Sequence, residues 1–131
     1  MNTNNKILIA TGGTGGHVFP AYSLAHHFSK NKFSVEIITD QRGFKFLKNY
    51  HDIKINIISS TTIFKKNPIN ILLSLFKIFF AFIKSIFYLL KLKPKIVFGM
   101  GGYSSFPVCL AAKVLSIPFI IYENNLYLGK A

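Results

Sequence analysis

Apolar residues along this chain fall into short blocks that switch between two periodicities. Lys6-Ile7-Leu8-Ile9-Ala10 is a continuous apolar run ending in threonine and glycine, the pattern of a strand buried on both faces. Ala21, Leu24, Ala25 and Phe28 then recur at helical spacing, which predicts a helix over 18–28 with that face on a sheet and Pro20 in its first turn. Residues 33–39 predict a second strand through Val35, Ile37 and Ile38, and residues 40–50 a short helix with Phe44 and Leu47 inward. Ile53 to Ile58 alternates as a third strand, followed by a polar loop over 59–68. After a long apolar segment that Pro94 stops, Ile96 to Phe98 reads as a fourth strand. A helix over 106–116 follows, with Ser105 as its cap and Pro107 in its first turn. Ile117 to Tyr122 is the fifth strand, with Pro118 at its start, and residues 126–131 begin a further element. Alternating strands and helices in a chain of 131 residues predict one α/β domain, a parallel sheet with helices on both faces.

Ile69 to Leu92 departs from the amphipathic norm. It is apolar almost throughout and long enough to cross a bilayer. Asn70, Lys77, Lys84 and Lys91 nevertheless recur every seven residues, a spacing that drifts by only about 20° per repeat on a helix. They form one narrow polar stripe, and Lys84 would sit near the middle of a span, where a charge is costly. The remaining apolar arc is wider than one packing face needs. The pattern therefore predicts a helix that shares its apolar surface between the sheet and a membrane interface, with Phe76, Phe79, Phe80 and Phe87 as contacts and Lys77 and Lys84 beside them for anionic headgroups.

Charge points the same way. The formal net charge is +12, and no acidic residue lies between Ile53 and Tyr122, a span with nine lysines. Such a field favours anionic partners. Nucleic acid is disfavoured, because the aromatic residues lie mainly in the apolar helix and not on a basic sheet face. Cys109, the only cysteine, excludes a disulfide framework and fits an apolar helix face in a reducing compartment. The polar start followed by a short strand and glycines is not a signal peptide.

The candidate chemistry sits in two glycine-rich loops, Gly12-Gly13-Thr14-Gly15-Gly16-His17 and Gly99-Met100-Gly101-Gly102-Tyr103-Ser104-Ser105. Each lies between a strand and a helix, where the lack of Cβ lets backbone amides converge on an anion. The strand ends of a parallel sheet bring such loops to one crevice. Neither loop ends in Gly-Lys-Ser/Thr, so neither is a P-loop. The register is not that of GxGxxG, although Glu36 and Asp40 are placed as ribose-binding acids would be. His17, at the start of a helix, can accept a proton from a hydroxyl or donate to a phosphate oxygen. Thr14, Tyr103, Ser104 and Ser105 supply hydroxyls, and Glu123 falls at the end of the fifth strand on the same edge. His26 and His27 lack a third ligand and read as solvent-facing, so no metal is expected. No cofactor is expected either.

Gly12-Gly13-Thr14-Gly15-Gly16-His17-Val18-Phe19-Pro20-Ala21 resembles the first signature of the bacterial murein glycosyltransferase (MurG) family. Gly99-Met100-Gly101-Gly102-Tyr103 with Ser105 and Pro107 resembles its second glycine loop, and Tyr122-Glu123-Asn124-Asn125 its third signature, usually His-Glu-Gln-Asn. The resemblance runs from near the first residue to Leu128-Gly129-Lys130. It implies a partial N-terminal, acceptor-binding domain of a Rossmann-like GT-B glycosyltransferase over 1–131, without the C-terminal nucleotide-sugar domain. The family moves N-acetylglucosamine from UDP-N-acetylglucosamine to undecaprenyl-pyrophosphoryl-N-acetylmuramoyl-pentapeptide in peptidoglycan synthesis, at the cytoplasmic face of the inner membrane. The resemblance casts His17 as catalytic base or pyrophosphate contact. It casts Gly13, Thr14, Gly15, Gly16, Gly101, Gly102, Tyr103, Ser104, Glu123 and Asn125 as acceptor-site residues. Phe106 replaces a common glycine, Tyr122 a histidine and Asn124 a glutamine, which alters the acceptor pocket more than the fold. This segment alone is expected to transfer nothing. The alternative is a non-catalytic membrane-anchoring subunit that recruits a separate donor-binding chain.

Overall fold

The computed structural model describes residues 5–59 and 67–123. In chain order the elements are β1 (Lys6–Ala10), α1 (Gly15–Lys30), β2 (Ser34–Thr39), α2 (Gln41–Leu47), β3 (Lys54–Ile57), α3 (Pro68–Leu92), β4 (Ile96–Gly99), α4 (Ser105–Val114) and β5 (Phe119–Ile121). All strand pairs are parallel, in the order β3-β2-β1-β4-β5. The chain winds outward from β1 to β3, and α3 then carries it back across β1 to begin β4. The strand order therefore reverses between β1 and β4, where parallel sheets open a crevice at their C-terminal ends.

Successive residues of β1 point to opposite faces, and both faces are covered, which is why the strand is apolar at every position. Ile7, Ile9 and Ile37 pack beneath Val18, Ala21 and Ala25 of α1 and Leu47 of α2. Leu8, Ala10, Ile38 and Val97 pack against Ala81, Leu89 and Leu92 of α3 and Val108, Ala111 and Ala112 of α4. Leu24 and Phe28 border the first of these cores, as their spacing predicts.

Element starts differ from expectation in three places. The first helix begins at Gly15, because the extended Thr14 offers its carbonyl to the amides of His17 and Val18 at 3.1 Å each. Pro20 consequently lies beyond the first turn, where its ring removes an amide that the helix ladder would use. Ser105 is not the cap of α4 but its first residue, and Ser104 precedes it. The fifth strand starts at Phe119, with the Pro118 carbonyl accepting from the Val97 amide at 3.0 Å. The loop over 60–66 and the element beginning at 126 lie outside the described residues.

The long helix is continuous from Pro68, with Asn67 capping it by accepting from the Ile69 amide at 3.1 Å. It ends on left-handed Lys93, ahead of Pro94. Its buried residues are Ser74, Ala81, Ser85, Leu89 and Leu92, a stripe of mostly small side chains. The Ser74 and Ser85 hydroxyls are satisfied within the helix, on the carbonyls of Asn70 and Ala81 at 2.8 and 2.7 Å. The large residues point outward: Leu72, Leu73, Leu75, Phe76, Phe79, Phe80, Phe87 and Leu90 are each at least 49% exposed. Helical rise makes α3 roughly 37 Å long, against about 20 Å for the longest strand. The α3 residues in the sheet core start at Ala81, so the preceding 13 residues, about 19 Å of helix, overhang the C-terminal rim.

Tyr88 ties α3 to the sheet. Its hydroxyl donates to Glu36 Oε2, which also accepts from Asn56 Nδ2 at 3.0 Å, while Lys54 Nζ donates to Oε1 at 3.1 Å. Glu36 therefore serves as a structural anchor and is not a ribose ligand. Burial alone would raise its pKa, but the bonds from Tyr88, Lys54 and Asn56 outweigh it and hold the carboxyl below 4.5. The resulting stability is complete above the unfolded-state value and is lost as pH falls through the lowered folded-state value. Tyr88→Phe should cost about 1–2 kcal/mol in urea unfolding. Glu36→Gln should make stability decline less steeply below pH 5, and an unchanged slope would refute the linkage.

Candidate acceptor-binding site

The two glycine loops meet at the β1–β4 reversal. The Met100 amide donates to the Ala10 carbonyl at 2.8 Å, and Ser104 Oγ donates to the Thr11 carbonyl at 2.7 Å. Gly102, at φ +82°, lies so close to the first loop that a Cβ there would stand 2.3 Å from the Gly12 carbonyl oxygen. Gly101, at φ +88°, lies under the His17 ring, and its Cβ would stand 2.6 Å from Nδ1. A side chain at either position would both strain the backbone and push the loops apart. Elements more than eighty residues apart in sequence thus place His17 on the second loop.

Not every candidate faces a ligand. Thr14 is exposed at the N-cap of α1 and makes no side-chain cap bond. Gly15 follows at the first helical position, whose amide has no acceptor within a helix, and Gly16 is exposed beside it. His17 is half-buried in the first turn. The Gly13 amide, by contrast, donates to Asp40 Oδ1 at 3.2 Å, so it is not presented to an anion. Ser104 is fully buried and its hydroxyl is spent on Thr11, a tie between loops and not a ligand contact. Ser105 Oγ donates to the Gly102 carbonyl at 2.8 Å and holds the second loop's shape. Tyr103 is half-buried in that loop.

The Tyr122 amide bonds the Gly99 carbonyl at 2.8 Å, which sets exposed Glu123 on the same rim. It is two strands from β1, about 10 Å across. Asn125 and Asn124 lie outside the described residues. Cys109 packs beneath Gly99, where a Cβ would meet its Sγ at 2.6 Å, and burial pushes the thiol up to about 11. That fits a packing residue and explains the glycine above it. His26 and His27 are exposed as expected, although His26 joins Tyr22 in bonding Asp52. No metal-ligating cluster occurs among the described residues.

Sequence reasoning placed Asp40 as a ribose-binding acid and Ser104 as a ligand contact, whereas both are structural ties. Asp40 directly follows β2, is buried, and accepts from the Gly43 amide at 2.8 Å as the cap of α2. Burial would raise its pKa, but the Gly43 and Gly13 amides and Arg42 hold it low. An aspartate directly before a predicted helix was the available signal. The buried Thr11 and Thr39 hydroxyls at the neighbouring strand ends make no hydrogen bond among the described residues. Around the rim stand exposed aromatic side chains: Phe19 edge-on to Phe46 at 5.7 Å, Phe106 and Tyr122. Beyond them, Leu72, Leu75, Phe76 and Phe79 of the α3 overhang line an open apolar groove of about 320 Å³.

Residues 7–131 match the glycosyltransferase family 28 N-terminal domain. The chain belongs to glycosyltransferase family 28. A relative in Rhizobium meliloti, named UDP-N-acetylglucosamine--N-acetylmuramyl-(pentapeptide) pyrophosphoryl-undecaprenol N-acetylglucosamine transferase, is 40% identical over 125 residues. The match covers 95% of this chain and 33% of the relative. A protein of the same name in Allorhizobium ampelinum is 37% identical, over 98% of this chain and 35% of the relative. The crystal structure of Acinetobacter baumannii MurG superposes with a TM-score of 0.78 at 30% identity, covering 96% of this chain and 37% of that one. A UDP-GlcNAc 2-epimerase from Methanocaldococcus jannaschii shares the fold, with a TM-score of 0.66 at 19% identity. The chain thus spans about a third of the length of the curated relatives it matches. Within family 28, the crevice between β1 and β4 lies in the N-terminal, Rossmann-like half of the fold.

The loop packing orders the glycines by what each tolerates. Gly102→Ala should destabilise by more than about 2 kcal/mol, since backbone must move. Gly13→Ala should cost only about 1 kcal/mol from its φ of +83°. Gly16→Ala, where the nearest atom is Thr14 Oγ1 at 3.7 Å, should be nearly neutral. Thermal unfolding of the three variants checks the order.

Proposed function

We propose that this chain is the acceptor-binding part of a UDP-N-acetylglucosamine-dependent transferase. The acceptor is undecaprenyl-pyrophosphoryl-N-acetylmuramoyl-pentapeptide, and the product is an intermediate of peptidoglycan synthesis. The observation that carries the reading is His17 seated on Gly101, which joins a proton-accepting group to the two loops at one crevice. The names of the curated relatives supply the substrates. The nucleotide-sugar site is assigned to the remaining two thirds of the enzyme, in the same polypeptide or another. By itself, this segment holds the acceptor without turning it over.

In the completed enzyme the first-turn amides of α1, with Thr14 and the second loop, hold the acceptor diphosphate and so orient the muramoyl hydroxyl. That oxygen attacks the anomeric carbon of the donor sugar, the bond to UDP breaks with its electrons leaving on the diphosphate, and configuration inverts. His17 takes the hydroxyl proton. Glu123, just beyond β5, completes the acceptor site together with Asn125. His17→Ala in an enzyme completed with a relative's donor half should lower turnover more than tenfold at saturating acceptor. Unchanged turnover removes His17 as the base.

The α3 overhang supports peripheral attachment to the cytoplasmic face of the inner membrane. Phe76, Phe79, Phe80 and Phe87 are 54–69% exposed, and Lys77 and Lys84 stand exposed on the polar stripe of the same helix. This helix is long and apolar enough to cross a bilayer, yet only the stripe of Ser74, Ala81, Ser85, Leu89 and Leu92 is buried. Seated in the interface, it brings the lipid chain of the acceptor to the apolar groove beside the rim. The chain should float with anionic liposomes at low salt, and replacing Phe76, Phe79 and Phe80 by serine should abolish flotation. Flotation by the triple variant equal to wild type would refute the contact.

A further inference from the structure

The junction between β2 and α2 reaches the crevice from the other side of β1. Asp40 divides its two carboxylate oxygens between separate tasks. Oδ1 accepts from the Gly43 and Gly13 amides at 2.8 and 3.2 Å, capping α2 and tying the first glycine loop to β2. Oδ2 accepts from Arg42 Nη2 at 3.1 Å. Asp40 is 3% exposed, whereas the Arg42 side chain is 53% exposed. A long, otherwise mobile guanidinium is therefore aimed by a rigid carboxylate. Its direction is toward the first loop, since a Cβ at Gly13 would stand 3.8 Å from Nη2.

Arg42 also borders an open cleft of about 480 Å³, lined with it by Asp40, Gln41, Ser59 and Lys77. Lys77 brings a second cation from α3. The single carboxylate is already satisfied by two amides and the guanidinium, so the cleft carries excess positive charge. A guanidinium has five donors in a planar fork, and Asp40 occupies one side of it. Arg42 lines this cleft and also reaches Gly13, two residues before the start of α1, so a ligand with two linked phosphoryl groups can engage both.

We propose that Arg42 is a further binding residue for the diphosphate of the lipid-linked acceptor, with Asp40 as the residue that positions it. The inference rests on the reading of the glycine loops as a diphosphate site. Asp40 explains why the first loop spends an amide on a side chain: the same carboxylate that fixes the loop fixes the cation beside it. Lysine would supply charge at this position without the fork.

The test uses the 131-residue chain and inorganic pyrophosphate, followed by amide nitrogen–proton NMR shifts. Wild type should bind saturably, with shifts at Gly15, Gly16 and Gly102. Arg42→Ala should weaken binding about tenfold, as expected for loss of a charge-assisted bond, and Arg42→Lys should recover only part of it. Asp40→Asn keeps an oxygen for the two amides and loses the partner for Arg42. It should leave the Gly13 amide shift of the free protein near its wild-type position and still weaken binding. Lys45→Ala removes one charge from α2 outside the cleft and should change affinity less than twofold. Equal effects of Arg42→Ala and Lys45→Ala, or none from Arg42→Ala, overturn the assignment while leaving the glycine-loop reading intact. Absence of any pyrophosphate binding by wild type overturns both.

Discussion

The close approach of Gly102 to the Gly12 carbonyl is the contact on which this molecule's site depends. Two backbone segments can come that near only where neither carries a Cβ, and both second-loop glycines have φ values open mainly to glycine. Around that contact three hydrogen bonds hold the loops in place. Ser104 holds Thr11, Met100 holds Ala10, and Asp40 holds Gly13. The first loop is thereby clamped from β4 on one side and β2 on the other. Among the groups left at least partly exposed beside the crevice are the Thr14 and His17 side chains and the Arg42 guanidinium. Rigid support beneath a few exposed groups is the arrangement that orienting a flexible lipid-linked substrate requires.

The long helix reverses the usual relation of side-chain size to burial. Ser74, Ala81 and Ser85 face the protein with Leu89 and Leu92, while most of the phenylalanines and leucines face outward. Small inward residues let α3 lie close against α4, while Tyr88 fixes its lower half to the sheet through Glu36. Its upper half then extends beyond the sheet core, which sets an apolar surface on the side of the glycine-loop crevice. Under the proposed function, the two chemically distinct parts of an amphiphilic acceptor would meet two neighbouring surfaces of one domain. The electrostatics are consistent with this, since the excess of basic residues attracts phosphate and membrane alike.

The chain order and the two glycine loops were legible because they rest on local rules: period two against period 3.6, and glycine at strand-to-helix junctions. So were the inward face of α1 and the polar stripe of α3, which follow from helical geometry alone. Local rules misplaced the start of α1, because Thr14 caps through its carbonyl and not its side chain, and glycine is an unpromising first residue for a helix. They also assigned Ser104 and Gly13 to a ligand, although tertiary partners had taken their hydrogen bonds.

By itself the sequence determined which segments become strands and helices, that the sheet is parallel, and that one helix has more apolar surface than its neighbours can cover. Only the tertiary structure decided that β4 returns to lie against β1, that His17 rests on Gly101, and that Asp40 joins the first loop to Arg42. Those facts depend on strand order and on contacts between residues far apart in the chain. Hydrophobic periodicity carries no record of either, because it reports which face of an element is buried and not what buries it.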